Sequence, residues 1–138
     1  MSESGYTIMR RADAPDFSHG AKAGPFLGYA RPMGANQIAL NIRVLAPGAA
    51  HTPPGEEPSW GHAHKTIEEI YLALRGDIQI KLDDDIETLH ELDAVLIPAG
   101  VTRGVRNETE QEAAFAMISV RVEDPHGESD PDGMFWVS

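Results

Sequence analysis

Between Gln37 and Gly48 the chain reads QIALNIRVLAPG, with Ile38, Leu40, Ile42 and Val44 on one side of an alternating run and Asn41 and Arg43 on the other. A period of two puts successive side chains on opposite faces of an extended strand, whereas a helix needs apolar residues every three to four positions. Pro47 and Gly48 end the run with turn chemistry. The pattern recurs in EIYLALRGDIQIKL, two strands meeting at Gly76, where Ile78, Ile80 and Leu82 alternate against Gln79 and Lys81. DAVLIPAG and AAFAMISVRV supply later strands, and no helical pattern exceeds a turn or two. Thirteen glycines and ten prolines punctuate these runs, so the chain is expected to be all-β. Many short strands in a small domain avoid open edges by closing into a sandwich or barrel, whose interior can hold one small ligand. Arg43 lies on the face opposite Ile42, and the pattern leaves open whether that face meets a pocket or solvent.

At 138 residues one domain is expected, and 41% hydrophobic with 24% charged residues is an ordinary globular balance. The net charge of −11, with no cluster of Lys and Arg, argues against a nucleic-acid partner. No apolar run approaches the roughly 20 residues of a membrane helix. The N-terminal MSESGYTIMRRADAP lacks the apolar core of a secretory signal, and no lipidation motif is read at the C-terminus, so a cytoplasmic protein without a membrane partner is expected. The absence of cysteine excludes disulfides and thiolate nucleophiles and leaves only nitrogen and oxygen ligands for a metal. Covalent hydrolase and nucleotide-dependent chemistries are not expected either, because the G-x-S-x-G elbow, the P-loop and the strand-linked G-x-G-x-x-G are missing. Asp83 to Asp85 read as a solvated hairpin turn, since no glycine or distal glutamate stands at EF-hand spacing.

The stretch WGHAHKTIEEIYLALRG carries the chemistry. His62 and His64 are two apart, so on a strand they share a face, roughly 7 Å apart at the backbone. Glu69 adds a carboxylate from the start of the next strand. Two histidines and one carboxylate are the facial triad of non-haem Fe(II) oxygenases, which leaves positions open for substrate and O₂. The same residues would serve equally as polar strand residues facing water beside a surface glutamate, and the segment alone does not choose. The preceding HTPPGEEPSWG reads as an irregular loop.

The wider spacing resembles the cupin family. Its first motif runs Gly, five residues, His-x-His, three or four residues, Glu, six residues, Gly. His62, His64, Glu69 and Gly76 fit, with Glu69 rather than Glu68 as the ligand, while the leading glycine is off by one because six residues separate Gly55 from His62. The second motif, Gly, five residues, Pro-x-Gly, two residues, His, three residues, Asn, is met at Pro98, Gly100 and Asn107. Leu92 replaces its first glycine, and Arg103 stands where the family places its fourth metal ligand. The resemblance covers about residues 36–122.

It implies a single-domain, jelly-roll-like antiparallel cupin β-barrel over 36–122, with an N-terminal arm containing a strand (1–35) and a C-terminal tail (123–138). Met134 to Val137 would pack on the barrel or a partner subunit. It also implies a divalent transition metal (Fe, Mn, Ni or Zn) on His62, His64 and Glu69, and a homodimer. Arginine has no lone pair to give, so Arg103 is no ligand. Three readings follow. Arg103 clamps an anionic substrate beside a metal held by three ligands; or Arg103 pairs with Glu69 and the barrel is a metal-free binding pocket; or another histidine, His51 or His90, joins the site. His51, His19 and His126 otherwise read as surface residues of loops. Alternation turns Tyr71 and Ala73 inward with Glu69, and Ile70, Leu72 and Leu74 outward. Tyr71 and Arg103 are the catalytic candidates, and Arg103, Tyr71, Phe115, Met117 and Trp60 the substrate-binding ones, with core packing the plainer role for Tyr71, Phe115, Met117 and Trp60. The expected function is a metal-dependent enzyme, a dioxygenase or a relative, acting on a small organic acid. The alternative is a non-catalytic, metal-free protein that binds a small molecule.

Overall fold

The computed structural model describes residues 5–51 and 59–137, with the side chain of His126 outside that set. Residues 52–58 of the loop expected before the histidines, Gly55 among them, lie outside the described residues. The strands are β1 (Phe26–Gly28), β2 (Ile38–Leu45), β3 (Ala50–His51), β4 (Gly61–His64), β5 (Glu69–Arg75), β6 (Ile78–Leu82), β7 (Asp85–Leu89), β8 (Ala94–Ile97), β9 (Arg103–Arg106), β10 (Ala113–Val120) and β11 (Ser129–Asp132). One short helical turn, Pro125–Glu128, precedes β11. The strands form two antiparallel sheets, ordered β1-β2-β10-β5-β8 and β11-β4-β9-β6-β7, with β3 added against β9. This is the all-β, jelly-roll-like barrel expected from the sequence. No helix among the described residues is long and apolar enough to cross a membrane.

The alternating runs explain the layers. In the first sheet Arg43 pairs with Phe115 across β2 and β10, and Phe115 pairs with Ala73 across β10 and β5. The next inward row joins Asn41, Met117 and Tyr71. From the second sheet come Ile78 and Ile80 of β6 and Val105 of β9, with Ile80 opposite Val105. Tyr71, Ala73, Phe115, Met117, Ile78, Ile80 and Val105, with Leu45, Ile97 and Ala113, form the buried core, and each large apolar side chain removed from water contributes about 1.5–3 kcal/mol. The more apolar face of β2, Ile38 to Val44, is therefore the outer one, while the inner face carries Asn41 and Arg43. Outside, Leu40, Ile118, Ile70 and Leu96 line up in one row across four strands.

Turn chemistry closes the barrel. Asn107 of the second motif is fully buried; its amide donates to the carbonyls of Leu45 (3.1 Å) and Gln111 (2.7 Å), and its Oδ1 accepts from the Thr109 amide (3.0 Å) and hydroxyl (2.7 Å). Such buried polar groups hold a loop only when they are fully bonded. Gly76, between β5 and β6, sits at φ 69°, where a side chain is strained. Leu92, where the motif has glycine, adopts the same left-handed backbone at φ 69°.

The tail crosses the outer face of the second sheet as β11 pairs with β4. Phe135 is 4% exposed, while Met134 and Val137 are each 63% exposed. A Cβ on Gly61 would lie 2.3 Å from the Phe135 ring, so the absence of a side chain there admits the ring. Lys81 Nζ donates to the Phe135 carbonyl, and the Arg106 guanidinium stands 4.2 Å from the Trp136 ring centroid, a cation–π contact.

Candidate metal centre in the barrel

His62 and His64 occupy alternate positions of β4, so the pleat that sends Gly61 and Ala63 outward turns both imidazoles inward, with ring centroids 5.2 Å apart. Glu69 opens β5. The chain between His64 and Glu69 is fixed by Glu128, whose carboxylate accepts from the backbone amides of Thr66 (2.6 Å) and Ile67 (3.0 Å) and from the Thr66 hydroxyl. Those bonds, the Thr66 amide foremost, lower the pKa of Glu128. Glu128 therefore positions the turn that brings Glu69 to the histidines, and nothing in the local sequence pattern pointed to it.

One ligand atom from each of His62, His64 and Glu69 lies within 4.8 Å of the others, a group of three able to hold a metal ion. Glu69 Oε1 is buried and 3.3 Å from His64 Nε2, yet it has no hydrogen-bond partner. Two facing lone-pair donors that approach without a hydrogen bond fit a shared cation, and two imidazoles with a carboxylate suit iron, manganese, nickel or zinc.

Arg103 is 1% exposed, and Nε, Nη1 and Nη2 all lack hydrogen-bond partners. It faces His62 across the β4–β9 pair, with its guanidinium carbon 6.0 Å from the Tyr71 ring centroid. The Arg103–Glu69 ion pair of the metal-free reading is not formed. Tyr71 is fully buried, and its hydroxyl lies beside the Glu69 carboxylate without a well-aligned hydrogen bond. Burial above all, and then the negative field of Glu69, raise its pKa well above the usual phenol range, against an opposing pull from Arg103. The hydroxyl is a proton donor at every ordinary pH.

Phe115 and Met117 are buried beside this group, and Phe115 stacks on Tyr71 with centroids 5.2 Å apart. Trp60 is half-buried, and its indole approaches Gly133 of the tail. His90 is exposed and 3.0 Å from Asp77, away from the centre. His51 departs from the surface role read for it. Pairing of β3 with β9 sets it opposite Val105, and at 3% exposure its ring lies between Phe26 and Phe115, with centroid distances of 5.3 and 5.4 Å. Burial, with the charge of Arg43 and then His62, holds it well below the usual imidazole range, so it is neutral. It is near the centre but outside the group of three. Arg43, whose direction the sequence left open, also turns inward and is 8% exposed.

A family model described as Cupin domain matches residues 48–120. No curated protein matches the sequence. Among solved structures, a sugar phosphate isomerase from a cupin superfamily of Silicibacter pomeroyi is similar at 23% identity and a TM-score of 0.61, over 70% of this chain but 59% of that one. A cupin protein from Bacteroides fragilis aligns at 21% identity and a TM-score of 0.65, covering 89% of this chain and 90% of that one. The polyketide cyclase RemF from Streptomyces resistomycificus aligns at 20% identity and a TM-score of 0.66, covering 87% and 89%. Likeness at these identities establishes the fold, and the reactions named differ from one relative to the next.

Proposed function

This chain belongs to the cupin family, and on that premise we propose that it is a metal-dependent enzyme acting on a small organic acid, with His62, His64 and Glu69 as ligands and Arg103 as the anion clamp. The observation that carries the reading is the buried Glu69 Oε1, 3.3 Å from His64 Nε2 and without a hydrogen bond. When bound, a divalent iron, manganese, nickel or zinc ion supplies a Lewis acid and open positions for substrate, and iron supplies an O₂ site as well. The protein does the rest. Arg103 presents a planar fork of donors that grips a carboxylate in two parallel hydrogen bonds and so fixes the acid's orientation. Tyr71, held protonated, donates a hydrogen bond to the bound acid. Phe115 and Met117 wall the interior with apolar surface, which keeps water out and strengthens the Arg103 contact. Fold alone does not select a reaction, and a dioxygenase is one class that this ligand set serves.

A second reading has its own support. Arg103 brings a positive charge to the position where the family motif carries a ligand, and a binding protein without metal would need just such a clamp. Elemental analysis after incubation with Fe(II), Mn(II), Ni(II) and Zn(II) separates the two. The enzyme reading expects near one metal per chain in wild type, retained or raised in Arg103→His. A metal-free wild type sinks it.

The proposal includes a homodimer. Ile38, Ile70, Leu96, Ile118 and Val120 are between 38% and 60% exposed on the outer face of the five-stranded sheet. A continuous apolar face of this kind is unusual on a monomer.

A further inference from the structure

Arg103 is not the only unpaired guanidinium inside the barrel. Arg43 lies in the inward row of β2, between its register partners Phe26 on β1 and Phe115 on β10. At 8% exposure its side chain makes no hydrogen bond or ion pair among the described residues, and its Nε is buried without a partner. The acid whose field reaches it is Asp16, and that carboxylate is engaged by the Ser18 amide (2.8 Å), the Ser18 hydroxyl (2.6 Å) and the Phe26 amide (2.9 Å). Glu69 is the one buried carboxylate among the described residues, and it faces His64. Among the described residues neither guanidinium forms an ion pair, although the protein carries a net charge of −11. Leaving a charge buried and unpaired is costly, so such groups are kept where a ligand completes them.

A run of packed rings connects the two guanidinium groups. Arg103 stands over Tyr71, Tyr71 packs on Phe115, Phe115 on His51, His51 on Phe26, and Arg43 lies over Phe26 at 5.4 Å. Two cationic ends are therefore joined by an aromatic lining. We propose that the ligand of this barrel is a dicarboxylate, with one carboxylate on Arg103, the other on Arg43, and its carbon chain against Phe115 and His51. A phosphate or a monocarboxylate concentrates its charge at one end and leaves the second guanidinium unanswered. This deepens the anionic-ligand reading given above and rests on it.

Isothermal titration of malonate, succinate and glutarate, compared with acetate, propionate and butyrate, tests the proposal on chelator-treated and metal-loaded protein. Wild type is expected to bind at least one dicarboxylate about tenfold or more tighter than any of the monocarboxylates, the scale of one added charge-assisted contact. Arg43→Gln should erase that advantage by weakening dicarboxylates more than monocarboxylates, and Arg103→Gln should weaken both classes. Arg43→Lys, which keeps the charge, should retain part of the preference and covers the case in which Arg43→Gln does not fold. Equal affinity for the two classes in wild type, or a folded Arg43→Gln that keeps the preference, overturns the proposal. Dicarboxylate preference in a protein that takes up no metal would sink the metal reading and leave this one standing. Metal uptake without the preference would do the reverse.

Discussion

His62 on β4 and Arg103 on β9 are direct cross-strand partners, and both side chains enter the barrel. The pairing places a guanidinium beside the centre at the point where the family motif would put a further imidazole. A cation there cannot ligate a metal, but it can hold the acid presented to one. In the unliganded protein Arg103 is a buried charge without a partner, which destabilises the fold. Arg103→Met, similar in length and apolar, should raise unfolding stability by about 1–4 kcal/mol in anion-free buffer. Denaturant melts of the two proteins check this, and a destabilised Arg103→Met would mean that the guanidinium is satisfied in solution.

Leu92 holds φ at 69° and is 75% exposed, so its side chain gains little from burial while its backbone stays in a region that suits glycine. The left-handed conformation costs a non-glycine residue about 1–2 kcal/mol, part of which glycine gives back through its own chain entropy. Leu92→Gly should stabilise the protein by about 0.5–1 kcal/mol, read as a higher denaturant midpoint at unchanged slope.

Much of this architecture can be read from residue order alone, because alternation fixes which residues share a face and glycines mark the turns. Alternation puts His62 and His64 on one face, and the family motif's spacing, not alternation, singles out Glu69. What alternation does not say is which face is inside. The outer face of β2 is the more apolar one, so Arg43 gave no local sign that it entered the barrel. His51 gave none either, since its burial depends on pairing with Val105, far along the chain. Glu128 supports Thr66 and Ile67 through an equally distant contact. Such pairings follow from topology and leave no periodic trace.

Asp16 ties the N-terminal segment to β1, and its hydrogen bonds, the Ser18 hydroxyl foremost, lower its pKa to about 2. A carboxylate depressed in the folded state contributes stability above its unfolded pKa of 3.8, and that contribution is lost as pH falls through 3.8 towards about 2. Asp16→Asn should flatten this part of the acid limb in unfolding measurements between those limits. An unchanged limb would show that the bonds do not discriminate between the charged and neutral forms.

Ile118 pairs with Ile70, and Ile70 with Leu96, in a row on the outer face of the five-stranded sheet. If a second copy covers that row, Ile118→Lys should convert a dimer to a folded monomer in sedimentation velocity, because a lysine there buries an unpaired charge. A wild type that sediments as a monomer at micromolar concentration contradicts the dimer.

The most direct measurement on the metal centre is a titration of Mn(II) into chelator-treated protein, followed by the loss of the free-ion paramagnetic resonance signal. Wild type should bind one ion per chain. Glu69→Gln and His62→Ala should each weaken binding by about a hundredfold or more, while His90→Ala, away from the barrel, should leave it unchanged. Wild-type binding that is absent, or that survives both substitutions undiminished, would contradict the assignment of His62, His64 and Glu69 as the ligands.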